Sequence, residues 1–172
     1  MYQIISVDPK RCTGCRICEL ACSLHNTGQC DPTRARIHAS RRVEDDLYWH
    51  VPLVCQRCTR AVCVEACEAG ALTQDETTGT IILDETKCTA CGACAERCLF
   101  AAIGSEPLSG RPLICAFCDG EPRCASLCPS GALTVADSDD PKARSGRTAM
   151  SRERKRLRIG VPAAAGPAET GV

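Results

Sequence analysis

Sixteen of the chain's seventeen cysteines fall into four quartets. The first is Cys12-x2-Cys15-x2-Cys18-x3-Cys22, and the third, Cys88-x2-Cys91-x2-Cys94-x3-Cys98, repeats its spacing without change. The second is Cys55-x2-Cys58-x4-Cys63-x3-Cys67. The fourth is Cys115-x2-Cys118-x5-Cys124-x3-Cys128, followed by Pro129. Sulfur in this density suits soft metals or disulfides. Cys30 stands outside the pattern and reads as a free thiol. His25, His38 and His50 have no metal-like spacing to one another and read as surface or packing residues.

Three thiolates separated by two residues let a tight loop wrap one face of an iron–sulfur cube and reach three of its irons. A fourth cysteine, expected at the start of a helix, is carried away towards a neighbouring cube. Quartets then work in pairs, with cubes on the order of 10 Å apart. Four quartets make four [4Fe–4S] clusters. Structural zinc is the alternative, since sixteen thiolates also make four tetrahedral sites. Zinc ribbons, however, pair two short knuckles across a longer gap, and a three-knuckle run suits one tetrahedron poorly. Disulfides are disfavoured because cysteines two residues apart rarely bridge.

Composition points the same way. Of 172 residues only 32 are Leu, Ile, Val or Phe and only five are aromatic, too little apolar volume for a conventional core. No apolar stretch approaches the roughly eighteen residues of a membrane span. The N-terminus lacks the features of a secretory signal, and Arg41-Arg42 lies too deep for an export signal. A cytoplasmic location is expected, where thiols stay reduced. Residues 1–140 carry 13 Lys/Arg against 19 Asp/Glu, a net of −6; residues 141–172 carry eight against two, a net of +6. The acidic body and the scarcity of aromatics exclude nucleic acid as a partner.

From about Tyr2 to Asp140 the chain resembles the four-cluster, ferredoxin-like iron–sulfur subunits of multi-subunit oxidoreductases. The resemblance is carried by Cys12-Thr13-Gly14-Cys15-Arg16-Ile17-Cys18-Glu19, by Pro32 to Ile37, by Val54-Cys55-Gln56-Arg57-Cys58, and by the Gly-Ala-Leu after the second and fourth quartets. Its narrower likeness is to the small subunit of tungsten-type aldehyde oxidoreductases. The resemblance implies an α+β fold of tandem bacterial 2[4Fe–4S] ferredoxin-like units. The inner unit would span about 52–105, and the outer would combine 1–51 with 106–140. It also implies four ligand sets. These are Cys12, Cys15, Cys18 with Cys128; Cys115, Cys118, Cys124 with Cys22; Cys55, Cys58, Cys63 with Cys98; and Cys88, Cys91, Cys94 with Cys67. One departure stands out. Proline normally follows the fourth cysteine, yet Glu68 follows Cys67 and Leu99 follows Cys98, which adds an N–H near a cluster sulfur.

Between the motifs, Ile4 to Val7 reads as a strand, Ala71–Thr73 and Thr80–Leu83 as a hairpin, and Ala132 to Val135 as a closing strand. Residues 23–54 include an extended arm over one cluster pair; Tyr48 and Trp49 are expected in the core, with plugging the arm's edge or facing a partner as the alternative. Thr148 to Ile159 reads as a short basic helix ended by Gly160, with an Ala/Gly/Pro-rich remainder. The basic tail, 141–172, is expected to dock on a partner subunit or a second copy of the chain; a solvated, disordered tail is the plain alternative. With every iron held by cysteine, and no dinucleotide fingerprint, P-loop or Ser/His/Asp constellation, the chain is expected to be a non-catalytic electron carrier. The resemblance supplies its partners: a large pterin-containing catalytic subunit and a second redox partner such as a flavin subunit or ferredoxin. A free-standing polyferredoxin and a zinc-based interaction module are the alternatives.

Overall fold

The computed structural model describes residues 2–44 and 47–157. Among these, eight strands form four separate two-stranded antiparallel ribbons, with short helices between them. β1 (Gln3–Val7) pairs with β8 (Leu133–Asp137), Gln3 opposite Asp137 and Val7 opposite Leu133. β4 (Leu72–Gln74) and β5 (Ile81–Leu83) form the expected hairpin. Asp75 shapes its turn, accepting at Oδ1 from the Thr78 amide at 2.6 Å and at its carbonyl from Gly79 at 2.8 Å. A second ribbon, β6 (Gly104–Ser105) with β7 (Pro112–Leu113), repeats this plan with Glu106 and Gly110 in place of Asp75 and Gly79. Too short to show alternation, it was invisible to sequence periodicity.

The helices differ from expectation in a consistent way. α1 (Ile17–Thr27), α2 (Val62–Glu65), α3 (Ala93–Arg97) and α4 (Arg123–Ser126) each carry the third cysteine of a quartet in the first turn. The fourth does not open a helix. Cys67 and Cys128 lie just past a helix end, Cys98 caps one, and Cys22 sits mid-helix in the longer α1. A three-residue gap is one helical turn, so once the third cysteine opens the helix the fourth falls one turn on, about 6 Å further, which is at or past the end of every helix but α1.

The arm is a hairpin of β2 (Ile37–Glu44) and β3 (Leu47–Val54). Its base is buried at Ile37, Val51, Leu53 and Val54 and lies over α1, where the Ala39 amide donates to Glu19 Oε1 at 2.7 Å. Its far half projects from the body. Tyr48 and Trp49 are therefore not core residues: they are 61% and 37% exposed, with the Arg41 guanidinium 4.3 Å from the Tyr48 ring.

α5 (Pro141–Leu157) opens seven residues before the expected start at Thr148; the expected stop at Gly160 lies outside the described residues. Asp140 caps it, accepting from the Lys142 amide at 2.8 Å, and Pro141 fills the first helical position. Ala143, Gly146, Met150 and Glu153 form its buried stripe against β1 and β3. Ser40 Oγ donates to Glu153 Oε1 at 2.6 Å, tying helix to arm. At Gly146 a Cβ would land on the Val7 carbonyl. Gly146→Ala raises helix propensity by about 1 kcal/mol, yet it is expected to loosen α5; Met150→Ala is expected to cost about 2–5 kcal/mol by emptying a fully buried site. Hydrogen exchange of the 141–157 amides in the purified protein checks both, and stronger protection in Gly146→Ala would contradict this packing.

Candidate metal centres

Each quartet begins with the same backbone device. The residue just before the second cysteine is left-handed in all four: Gly14 at φ 71°, Arg57 at 44°, Ala90 at 55° and Phe117 at 62°. Three of these are not glycine, although a left-handed L-residue costs roughly 1–2 kcal/mol. The reversal turns amides inward. The N–H groups of Gly14, Arg57 and Phe117 donate to the thiols of Cys12, Cys55 and Cys115 respectively.

The fourth cysteines receive amides as well. Ala71 N–H donates to Cys67 Sγ at 3.2 Å and Ala102 N–H to Cys98 Sγ at 3.3 Å. Cys128 accepts from the amides of Leu133, Ala132 and Ser130. Loss of proline after Cys67 and Cys98 thus changes little, because the donor comes from the turn four residues on and Cys128, with its proline, is served the same way. Cys22, inside α1, has no such turn. Its amide comes from Arg36 at 3.2 Å, with Asn26 Nδ2 at 3.6 Å.

The fold brings the sixteen thiols into four groups. Cys12 lies within electrostatic reach of Cys15 and Cys128, and Cys18 of Cys12 and Cys15. Cys22 faces Cys118, while Cys124 faces Cys115, Cys118 and Cys22. Cys55, Cys58 and Cys63 each face Cys98. Cys67 lines one cavity with Cys88, Cys91 and Cys94. Every group therefore takes three sulfurs from one quartet and one from another. Electrostatic influence also crosses between groups, from Cys18 to Cys124 and from Cys115 to Cys55. Among the described residues no three His, Cys, Asp or Glu side chains converge tightly enough for a single metal ion. Four thiols drawn together from two quartets suit an iron–sulfur cube.

Electrostatics agrees. Burial pushes the Cys18 thiol up to about 12 and those of Cys63, Cys94 and Cys115 up to about 11, with neighbouring thiols adding to the rise. Cys55 and Cys124 move the same way for the same reason. Cys128 alone is lowered: burial opposes the shift, but the surrounding amides and the Ser130 hydroxyl outweigh it. Such thiols ionise only against added positive charge, which iron supplies on binding.

The remaining candidates lie apart. Cys30 is exposed and outside the four groups. His50 packs on Gly14 and His38 on Gly104, where burial holds the His38 pKa below its usual value. Sequence reasoning missed two side chains beside the second quartet. Gln56, buried, donates through Nε2 to the Ile5 carbonyl at 3.1 Å and accepts from Arg147 Nε at 3.2 Å. Arg57 is the other.

Comparison with known proteins follows from this geometry. Residues 47–138 match the 4Fe-4S dicluster domain family. The NADH-dependent phenylglyoxylate dehydrogenase subunit beta of Aromatoleum evansii is 40% identical over 133 residues, 77% of this chain but 30% of that protein. The polyferredoxin-like subunit of the aliphatic sulfonate oxidoreductase of Pyrococcus furiosus is 36% identical over 72% of this chain and 70% of its own length. The thiosulfate reductase electron transfer subunit PhsB of Salmonella typhi is 32% identical over 77% and 74% respectively. Among the described residues no helix is long and apolar enough to cross a membrane. With paired thiol groups at its centre and relatives of this kind, the chain belongs to the 4Fe-4S dicluster family of iron–sulfur electron-transfer subunits of oxidoreductase complexes.

Proposed function

We propose that the chain carries four [4Fe–4S] clusters and relays single electrons between a catalytic subunit and a second redox partner. The observation that carries this is the exchange of sulfurs between quartets, by which each group of four completes its neighbour. The ligand sets are Cys12, Cys15, Cys18, Cys128; Cys22, Cys115, Cys118, Cys124; Cys55, Cys58, Cys63, Cys98; and Cys67, Cys88, Cys91, Cys94. Bound there, the clusters supply one-electron chemistry; with every iron position taken by cysteine, substrate chemistry belongs to the partner. Units 1–51 with 106–140, and 52–105, each hold one pair.

The proximity of groups supports one order for the relay. Cys63 and Cys67 are one helical turn apart, as are Cys94 and Cys98, so the two inner groups adjoin. Cys55, within electrostatic reach of Cys115, links them to the outer pair, and Cys124, within reach of Cys18, continues the line. The two end groups contain exposed cysteines, Cys91 at one and Cys15 at the other, where electrons enter and leave.

The catalytic partner is a tungsto- or molybdopterin subunit of the aldehyde-oxidoreductase type, in the cytoplasm of an anaerobic metabolism; a flavin subunit or ferredoxin stands at the other end. Residues 141–172 supply a further contact, to a partner or a second copy. The buried stripe of α5 is committed to this chain's own body, so that contact falls to its outer face and to residues 158–172.

Anaerobically purified protein is expected to hold about sixteen irons and sixteen sulfides per chain and to bleach with dithionite; stoichiometric zinc in a colourless protein would overturn the reading. Cys22→Ala and Cys124→Ala are expected to remove the same electron-paramagnetic-resonance signal, and Cys18→Ala and Cys128→Ala a different one. Loss of a common signal by Cys18→Ala and Cys22→Ala would show that quartets do not exchange sulfurs. Co-purification with a large pterin subunit separates a resident subunit from a freely diffusing polyferredoxin. Removal of 158–172 is expected to reduce assembly by size-exclusion chromatography; unchanged assembly would exclude those residues as the contact.

A further inference from the structure

Arg57 is an unexpected residue at its position. It occupies the left-handed site of the second quartet that the first and third quartets give to Gly14 and Ala90, and its side chain is only 6% exposed. Burying a guanidinium is unfavourable unless its donors are met. Here Nη1 donates to the Gln3 carbonyl at 2.8 Å, on β1 of the outer unit. Nη2 donates to Thr80 Oγ1 at 3.0 Å and to the Thr78 carbonyl, both on the hairpin of the inner unit. The ring of Phe117 lies 4.3 Å from the guanidinium carbon, and Phe117 holds the equivalent left-handed site of the fourth quartet. The two loops thus meet ring to cation, across the junction between the units.

One donor is left over. Arg57 Nε is buried and has no hydrogen-bond partner. The groups facing the guanidinium are Cys55, Cys115, Asp75 and Tyr2. Cys55 and Cys115 belong to an inner and an outer group and lie within electrostatic reach of each other. A merely structural clamp would be served by the three met bonds and the stack. It does not account for a full charge and an orphan N–H held beside sulfurs of two different groups.

We propose that Arg57 is a positioning residue for electron passage between the two cluster pairs, its buried cation and free Nε–H stabilising added negative charge on the groups bound at Cys55 and Cys115 while its stack on Phe117 fixes their separation. This deepens the four-cluster reading and rests on it. The step is one electron leaving one group and arriving at the other, with no bond made or broken and no proton moved. The donor group becomes one unit less negative and the acceptor one unit more. A cation shared between them favours reduction of both, so the two potentials stay close to each other. Nearby charge and hydrogen bonds to sulfur are the levers a protein has on such potentials.

The test uses the full-length, anaerobically purified protein, with iron counted first so that failure of the four-cluster reading is recognised separately. Redox titration followed by electron paramagnetic resonance then compares wild type with Arg57→Gln and Arg57→Lys. Arg57→Gln is expected to make two of the four clusters harder to reduce by about tenfold in the equilibrium constant, about 59 mV for a one-electron couple. Arg57→Lys, which keeps the charge, is expected to restore most of that loss. Potentials unchanged in Arg57→Gln, or lowered equally at all four clusters, would overturn the proposal. Should Arg57→Gln fail to load iron, protein labelled with 15N in its arginine side chains decides the matter. Electron–nuclear double resonance of the reduced wild type is then expected to show a guanidinium nitrogen coupled to a cluster and lost in Arg57→Lys, and its absence in wild type would overturn the proposal equally.

Discussion

Four sulfurs must face one another at each of four places, and the rest of the structure is an answer to that requirement. Bare thiols so arranged resist ionisation, as the raised values at Cys18, Cys63, Cys94 and Cys115 show. The chain meets the difficulty with amides aimed at sulfur, supplied by left-handed residues and by the turns after each short helix. Cysteines also count among the buried core. One apolar cluster combines Cys18, Cys22 and Cys124 with Ile5, Val54 and Leu133; the other gathers Cys94 with Leu72, Ile81 and Ile114. Little apolar volume is needed because inorganic matter takes the place of side chains.

Long-range polar contacts join parts of the chain that no common sheet connects. Arg57 reaches from the second quartet to β1 and to the inner hairpin. α5 works across the same divide. Arg147 Nη1 donates to the Ser138 carbonyl at 3.0 Å and its Nε to Gln56, while Arg154 Nη2 donates to the Glu96 carbonyl on α3 at 2.7 Å. The basic segment that composition sets apart from the acidic body is therefore, through residue 157, a strap lying on it. Its Arg147 and Arg154 are held there by backbone carbonyls and by Gln56, while Arg156 pairs with Glu153 of the same helix.

The parts of the fold legible in the sequence are those fixed by spacing. The x2 and x3 intervals place the quartets, and the alternation around Thr77-Thr78-Gly79 places β4 and β5. Whatever depends on distant partners was hidden. Tyr48 and Trp49 read as core residues because aromatic rings usually are, yet only the base of their hairpin meets the body. α5 was shortened because its stripe of Ala143, Gly146, Met150 and Glu153 has almost no hydrophobicity to detect; the Asp140-Pro141 pair was the signal that marks its start. Arg57 offered no signal at all, since a buried, left-handed arginine is defined by Phe117 and Gln3, far away in sequence.

Nesting has a consequence for biosynthesis. The inner thiol groups are complete once Cys98 has left the ribosome, whereas Cys12, Cys15 and Cys18 must wait for Cys128, and Cys22 for Cys115. Completion of the thiol groups along the growing chain is thereby ordered, the two of residues 55–98 before the two that need Cys115 to Cys128. The α5 strap is synthesised after the last of these cysteines, so it can close over the body only when every thiol group is complete.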